Sequence, residues 1–330
     1  MVQFSSGMKF AAPALLISMT LSTSALSADA TLPDWSRVAR DTGTPLRKFV
    51  GADSPDGWAF GKKDGQPKAI LICLHGIQTH ADWFAPLGAE AEREGWLLLC
   101  PDRRGSGRAR ADDRIARLEP LTIGGEVWAE ELRPLFEKAR EIDAPIFLVG
   151  TSWGAKVALY AAAERATLYP GVNLRSLILL VPATPAKKET FFAKLVITVF
   201  HSFKRDKIFG GLTQAEYQNR GADAAQRERL RENMQRDHQL LECGQTVHLL
   251  HEGLRLEKEG LARLGKSPLP TLALFADGDE IVDLNRAPVA TRNIGAEVHT
   301  LASAGHAVQV EAPGSIVAVL RPWVKAHAYP

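Results

Sequence analysis

The pentapeptide Gly150-Thr-Ser-Trp-Gly154 is the strongest chemical signal in this sequence. It follows a short apolar run and precedes an alanine-rich segment with high helix propensity. A strand, a sharp turn bounded by glycines and a helix together form the setting in which a serine hydroxyl is exposed as a nucleophile. We therefore predict that Ser152 is a catalytic nucleophile.

A serine hydroxyl attacks a carbonyl effectively only when a base takes its proton. His306 is the best-placed base, because it follows a late strand-like run and the flexible residue Gly305. The imidazole in turn needs a carboxylate that fixes its tautomer. Acidic residues cluster after the apolar run 272–276, and we favour Asp279, with Asp277 as the alternative.

The tetrahedral intermediate of acyl transfer needs two N–H donors for its oxyanion. Trp153, the residue after the nucleophile, supplies one backbone amide. The loop Leu74-His-Gly-Ile77 follows an early apolar run, and we predict that the Ile77 amide is the second donor. His75 is expected to shape this loop through hydrogen bonds rather than to act as a base.

Short apolar runs alternate with helical patterns along most of the chain. Nearly continuous apolar runs are typical of strands that are buried on both faces of a parallel sheet. The alternation therefore predicts a doubly wound α/β fold. The predicted strands are Arg47–Val50, Trp58–Gly61, Lys68–Leu74, Trp96–Cys100, Pro145–Gly150, Ser176–Val181, Pro270–Ala276 and Ala296–Leu301. The predicted helices are Asp82–Arg93, Gly125–Arg140, Ala155–Ala166, Asn285–Ile294 and Gly314–His327.

One region interrupts the alternation, because residues 185–268 contain no convincing strand. We interpret this region as a helical cap inserted into a core formed by residues 31–184 and 269–330. Its apolar segment Phe191–Phe200 is expected to pack against the core. Two alternatives are that it lines an acyl-chain pocket or contacts a membrane surface.

The N-terminal 30 residues have the features of a signal peptide. Lys9 precedes an apolar stretch, and small residues suited to cleavage follow near Ala28. We therefore expect export to the periplasm or the medium. The alternative is an uncleaved membrane anchor, although the apolar centre is shorter than the roughly 20 residues that span a bilayer.

Charge balance and cysteine spacing argue against a nucleic-acid partner, a disulfide framework and a zinc site. The 330 residues include 40 Lys and Arg and 38 Asp and Glu, a net charge of +2, which does not favour nucleic acid as a partner. Three cysteines do not form a disulfide framework, and their spacing predicts no zinc site. Cys73 and Cys100 fall on strands predicted to be neighbours, where we expect buried thiols, with a bridge as the alternative.

Taken together, these motifs resemble those of the α/β-hydrolase superfamily, over about residues 45 to 325. The segment Asp102-Arg-Arg-Gly-Ser-Gly107 is similar to the family's turn after the fourth strand, although the chain continues with Arg108 where the family often has serine. The order Ser152, Asp279, His306 is the family's chain order. The resemblance implies an α/β-hydrolase fold of about eight strands, and it is closest to the capped branch of monoacylglycerol lipases, lysophospholipases and serine aminopeptidases.

This resemblance implies a serine hydrolase that cleaves a small or lipid-like carboxylic ester through an acyl-enzyme. It implies no organic cofactor and no metal. The first alternative is a serine aminopeptidase, because the Ser-Trp-Gly turn of this chain is similar to that of proline iminopeptidases. That activity needs an acidic residue for the substrate amine, and the candidates are Glu216, Glu232 and Glu242. The second alternative is a binding protein that retains the fold without catalysis.

Overall fold

A computed structural model describes residues 34–110, 124–186 and 243–329, with isolated positions between 224 and 232. The predicted signal peptide lies outside the described residues, and so does the apolar segment Phe191–Phe200 of the predicted cap. Export and the role of that segment therefore stay predictions. Within the described ranges, no helix is both long enough and apolar enough to cross a membrane.

The core of the protein is an eight-stranded, mostly parallel sheet in the order β1-β2-β4-β3-β5-β6-β7-β8. The pairs β1–β2 and β2–β4 are antiparallel, and the remaining pairs are parallel. This topology confirms the predicted α/β-hydrolase fold. The strands are β1 (Thr44–Pro45), β2 (Gly57–Gly61), β3 (Ala69–Leu74), β4 (Trp96–Pro101), β5 (Ile146–Thr151), β6 (Leu174–Leu180), β7 (Thr271–Ala276) and β8 (Glu297–Leu301).

Helices connect and flank these strands. They are α1 (Trp35–Thr42), α2 (Leu46–Phe49), α3 (Ala85–Glu94), α4 (Gly125–Glu131), α5 (Arg133–Ile142), α6 (Trp153–Ala163), α7 (Arg165–Leu168), α8 (Cys243–Leu264), α9 (Ala287–Arg292), α10 (Val308–Glu311) and α11 (Pro313–His327). Every residue of β3, β4 and β5 is buried, as expected for central strands with apolar side chains on both faces. Cys73 and Cys100 lie buried on β3 and β4 as free thiols.

The predicted strand Arg47–Val50 is wrong, because this segment forms the helical turn α2. Leu46 is buried, whereas the consecutive side chains of Arg47 and Lys48 are both exposed. A strand would point these two charged side chains to opposite faces, one of them toward the core. A helical turn allows both to face solvent while Leu46 packs inward.

The predicted helix Gly125–Arg140 is in fact two helices, α4 and α5, separated at Leu132. Pro134 stands in the first turn of α5. Proline has no backbone N–H to donate, and its ring clashes with the preceding helical turn. It is therefore tolerated at the start of a new helix but not inside one long helix.

The strand order places the site at the carboxyl ends of the central strands β3 and β5. Strand β3 has β4 on one side and β5 on the other, so the direction of chain progression reverses around it. Ligands of open α/β sheets bind in the crevice at the carboxyl ends of the strands where this reversal occurs. Here the loop His75–Ile77 follows β3 and Ser152 follows β5.

The contact between α3 and β2 generates a prediction about stability. A Cβ atom at Gly88 of α3 would lie 2.5 Å from Cβ of Phe60, which is close to the backbone and has little freedom to move. We expect Gly88→Ala to lower the free energy of unfolding in urea by about 1–3 kcal/mol. The matched variant Gly314→Ala, where nothing lies within 4 Å, should unfold at the parental urea concentration or higher. Equal midpoints for Gly88→Ala and the parent would contradict this packing.

Candidate active site

Ser152 occupies a strained turn between β5 and α6. Its backbone has φ 54° and ψ −116°, a conformation that is unfavourable for a residue with a Cβ atom. The turn is held by its neighbours, because the Ser152 N–H donates to the carbonyl of Leu180 at 2.9 Å and the Ser152 carbonyl accepts from Ala155 at 3.1 Å. The side chain is consequently presented above the end of the sheet.

The two glycines of the pentapeptide are required by close packing. A Cβ atom at Gly150 would lie 2.7 Å from Cα of Ala155, and one at Gly154 would lie 2.7 Å from the carbonyl oxygen of Leu74. Contacts this short do not occur between real atoms of these types. Gly150 therefore allows the start of α6 to pack against β5, and Gly154 allows it to approach the end of β3.

The structure brings Ser152, His306 and Asp279 together in one hydrogen-bonded chain. The Oγ of Ser152 lies 2.7 Å from Nε2 of His306, and Nδ1 of the same ring lies 2.7 Å from Oδ2 of Asp279. An ionised carboxylate can only accept, so the ring carries its proton on Nδ1. This leaves Nε2 to accept the serine O–H, which is the arrangement that a general base needs.

The Asp279 carboxylate is fixed and ionised. Its Oδ1 accepts hydrogen bonds from the amides of Ile281 at 2.7 Å and Val282 at 3.0 Å. Burial opposes ionisation, but the interactions with His306 and these two amides outweigh it and lower the pKa of Asp279 below its ordinary value. The alternative acid, Asp277, is exposed and accepts a 3.4 Å bond from the Ala304 amide.

The loop after β3 lies directly beside the serine. A Cβ atom at Gly76 would be 3.5 Å from Cβ of Ser152, and Ile77 lines the same cavity as the serine side chain. Trp153 is the first residue of α6, where an N–H has no partner inside the helix. In the described chain neither of these two amides donates to a backbone carbonyl, so both are available to an oxyanion.

A small cavity of about 20 Å³ borders Ser152 and His306. Its walls are mainly uncharged, and the described part of the chain contains no cluster of three or more side chains that could hold a metal ion. The residues that line the cavity are Gly76, Ile77, Gln78, Thr79, Trp83, Thr151, Ser152, His306, Ala307 and Gln309.

His75 fixes the loop as a neutral imidazole. Its Nδ1 lies 2.7 Å from the carbonyl oxygen of Gly76, and its Nε2 accepts the amide of Arg103 at 3.1 Å. The first contact requires a proton on Nδ1, and the second requires a lone pair on Nε2. Burial, followed by the nearby Arg103 charge, lowers the pKa of His75 well below its ordinary value.

Arg103 is a buried, charged residue beside the site for which the sequence predicted no role. Its Nη2 donates to the carbonyl oxygen of Ile77 at 2.9 Å and to Oγ of Ser106 at 2.6 Å, and its guanidinium lies 5.1 Å from the centre of the Trp153 ring. Burial lowers the pKa of Arg103 to about 9. The side chain therefore ties the Ile77 loop to the first residue of α6.

Glu311 is a second residue beside the site for which the sequence predicted no role. Its two carboxylate oxygens accept the amides of Gly305 and Ala307, each at 2.9 Å, so it clasps the backbone on both sides of His306. Burial raises the pKa of Glu311 against the opposing effect of these amides. The signal in the sequence that could have indicated this role is the position of Glu311, five residues after His306.

Helix α8 packs beside the strained turn. The indole Nε1 of Trp153 donates to the carbonyl of Leu249 at 2.8 Å, and the ammonium group of Lys156 lies 2.7 Å from a carboxylate oxygen of Glu257. This helix belongs to the segment predicted as a cap. Of the acidic residues considered for an aminopeptidase, Glu232 is exposed, and Glu216 and Glu242 lie outside the described residues.

The neutral state of His75 predicts a dependence of stability on pH. The folded-state pKa lies below the unfolded value of about 6.5, so at lower pH the unfolded chain binds a proton that the folded chain does not. Stability should then fall with decreasing pH by up to about 1.4 kcal/mol per unit from this residue. Urea unfolding between pH 7 and 5 should show a shallower loss for His75→Gln, and identical slopes would contradict a neutral, buried His75.

Part of the chain is similar in sequence to monoglyceride lipases. Rat monoglyceride lipase (Rattus norvegicus) is 26% identical over 152 residues, which are 45% of this chain and 48% of the relative. A monoglyceride lipase homolog of Monkeypox virus is 26% identical over 133 residues, 40% of this chain and 46% of the relative. The chain spans about half the length of the curated relatives it matches.

Solved structures show the same fold. A soluble variant of monoglyceride lipase from Saccharomyces cerevisiae superimposes with a TM-score of 0.64 at 14% identity, over 83% of this chain and 92% of that one. A thermophilic esterase from Thermogutta terrifontis does so with a TM-score of 0.59 at 18% identity, over 82% and 93%.

The family described as serine aminopeptidase, S33, matches residues 65–312. This span is most of the chain, and it begins just before β3 and ends just after α10. It contains the turn at Ser152, the acidic loop after β7 and the loop of His306. The chain therefore belongs to the serine aminopeptidase S33 family of α/β-hydrolase serine hydrolases.

Proposed function

We propose that this protein hydrolyses carboxylic esters through an acyl-enzyme on Ser152. The observation that carries the proposal is the chain of two 2.7 Å hydrogen bonds from Ser152 through His306 to Asp279. The similarity to monoglyceride lipases supports a lipid-like ester as substrate.

The geometry supports a specific sequence of proton movements. The Ser152 oxygen attacks the ester carbonyl carbon while its proton moves to Nε2 of His306. The negative charge of Asp279 stabilises the imidazolium, and the amides of Ile77 and Trp153 bind the oxyanion. His306 then protonates the leaving alcohol, and the acyl group remains on Ser152 until water releases it.

An aminopeptidase is the second candidate, because the matching family carries that description. Such an enzyme needs a carboxylate that binds the ammonium group of its substrate. Within the part of the chain that the structure describes, the cavity at Ser152 is lined by no carboxylate. Two of the candidate carboxylates, Glu216 and Glu242, lie outside the described residues, so the preference for an ester substrate rests on the similarity to monoglyceride lipases.

The role of Ser152 is tested by Ser152→Ala. This change should reduce kcat for short p-nitrophenyl esters by roughly 10⁴-fold or more, because nucleophile and base act as a unit. It should also abolish labelling by a fluorophosphonate probe. Assays of the parent with a monoacylglycerol and with proline-naphthylamide distinguish the two candidates. Full ester turnover by the alanine variant would overturn the proposal, and faster cleavage of the amide would favour the aminopeptidase.

The role of Asp279 is tested against its neighbour in the same loop. Asp279→Asn should lower kcat by about 10³–10⁴-fold, because an amide in place of the carboxylate favours the wrong tautomer of the base. Asp277→Asn is the matched control and should keep kcat close to the parental value, since Asp277 is exposed and does not contact the ring. Equal losses in the two variants would contradict this assignment.

A further inference from the structure

Two buried polar groups beside the serine are unused by the mechanism described so far. The side-chain oxygens Oε1 of Gln309 and Oγ1 of Thr151 have no hydrogen-bond partner in the described structure, and each residue is only 2% exposed. Burial of a polar group without a partner destabilises a protein, so a buried oxygen of this kind is a candidate partner for a bound water. Both residues line the cavity that also contains Ser152 and His306.

The positions of these groups relative to the reacting atoms are fixed by the backbone. Thr151 is the last residue of β5 and directly precedes Ser152. Gln309 lies in α10, three residues after His306, and the Glu311 carboxylate holds the backbone between them by accepting the Ala307 amide. The orphan oxygens therefore sit on the same rigid segments as the nucleophile and the base.

The cavity has room for a water molecule. Its volume of about 20 Å³ exceeds the roughly 10–15 Å³ that a buried water needs. A buried water also needs two to four polar partners. Gln309, Thr151 and Nε2 of His306 supply this number once Ser152 is acylated and no longer donates to the ring.

We propose that Gln309, assisted by Thr151, holds the water that hydrolyses the acyl-enzyme. This inference rests on the proposed function. The water oxygen bonds to the acyl carbonyl carbon and gives one proton to Nε2 of His306. The bond between the acyl carbon and the Ser152 oxygen then breaks, the proton passes from His306 to Ser152, and a free acid leaves.

The second hydrogen of the water explains why an acceptor is needed. Water that donates one hydrogen to His306 still carries another O–H, which must find an acceptor in a buried cavity. The Oε1 of Gln309 is such an acceptor. A methanol molecule attacking at the same place donates its only O–H to His306 and has a methyl group in place of the second hydrogen.

This difference between water and methanol provides the test. With p-nitrophenyl butyrate in buffer containing methanol, the acyl-enzyme partitions between butyrate and methyl butyrate, which chromatography quantifies. Gln309→Met retains the length of the side chain and removes the acceptor. The ratio of methyl butyrate to butyrate should rise by about tenfold, the effect of one hydrogen bond between uncharged groups. The rate of fluorophosphonate labelling, which reports attack by Ser152, should stay at the parental value.

Two further variants complete the experiment. Thr151→Val should raise the same ratio, and it carries the test if Gln309→Met does not fold. Thr291→Val removes a buried hydroxyl that bonds within α9, at Ala287 and Pro288, and should leave the ratio unchanged.

The possible failures are distinguishable. A folded Gln309→Met variant with parental labelling and a parental product ratio overturns the role of Gln309 and leaves the proposed function intact. Slowed labelling with an unchanged ratio also overturns it, because Gln309 would then act during acylation. Absence of both labelling and ester cleavage in the parent protein overturns the proposed function and this inference together.

Discussion

The hydrogen bond between Ser152 and His306 is the contact on which the site depends, and a strained backbone at Ser152 presents the hydroxyl that makes it. A positive φ at a residue with a Cβ atom costs about 1–3 kcal/mol. Bonds to β6 and α6 offset this cost, and glycines on both sides of the serine allow α6 to pack against β5 and the end of β3. The strain lifts the hydroxyl above the sheet, where an imidazole from a distant part of the chain can reach it.

Buried charged groups that bind backbone amides or carbonyls position the rest of the site. Asp279 accepts two amides of its own loop, Glu311 accepts the two amides that flank His306, and Arg103 donates to the carbonyl of Ile77. Loops have few packing contacts, so hydrogen bonds to ionised groups are an effective way to fix them. Each of these three side chains restrains one of the loops that meet at Ser152.

Sequence patterns predicted the fold well where a strand consists of one continuous apolar run. The apolar runs of β3, β4 and β5 are buried on both faces, which is the condition under which hydrophobicity alone identifies a strand. The prediction failed at residues 47–50, where one buried leucine precedes two exposed basic residues. This segment is too short to show the periodicity of either a strand or a helix. The prediction also omitted α1, in which only Trp35 and Ala39 are buried, four residues apart on one face.

By itself, the sequence determined the fold class and the order of the motifs, because apolar runs and glycine-containing turns can be recognised from neighbouring residues alone. It left Asp279 and Asp277 as competing partners for His306, since two acids two residues apart in one loop have similar local patterns. The tertiary structure decided between their positions by burying one carboxylate against the imidazole and leaving the other exposed. It alone revealed Arg103, Glu311 and Gln309, because their surroundings are backbone groups and a cavity that folding assembles from separate parts of the chain.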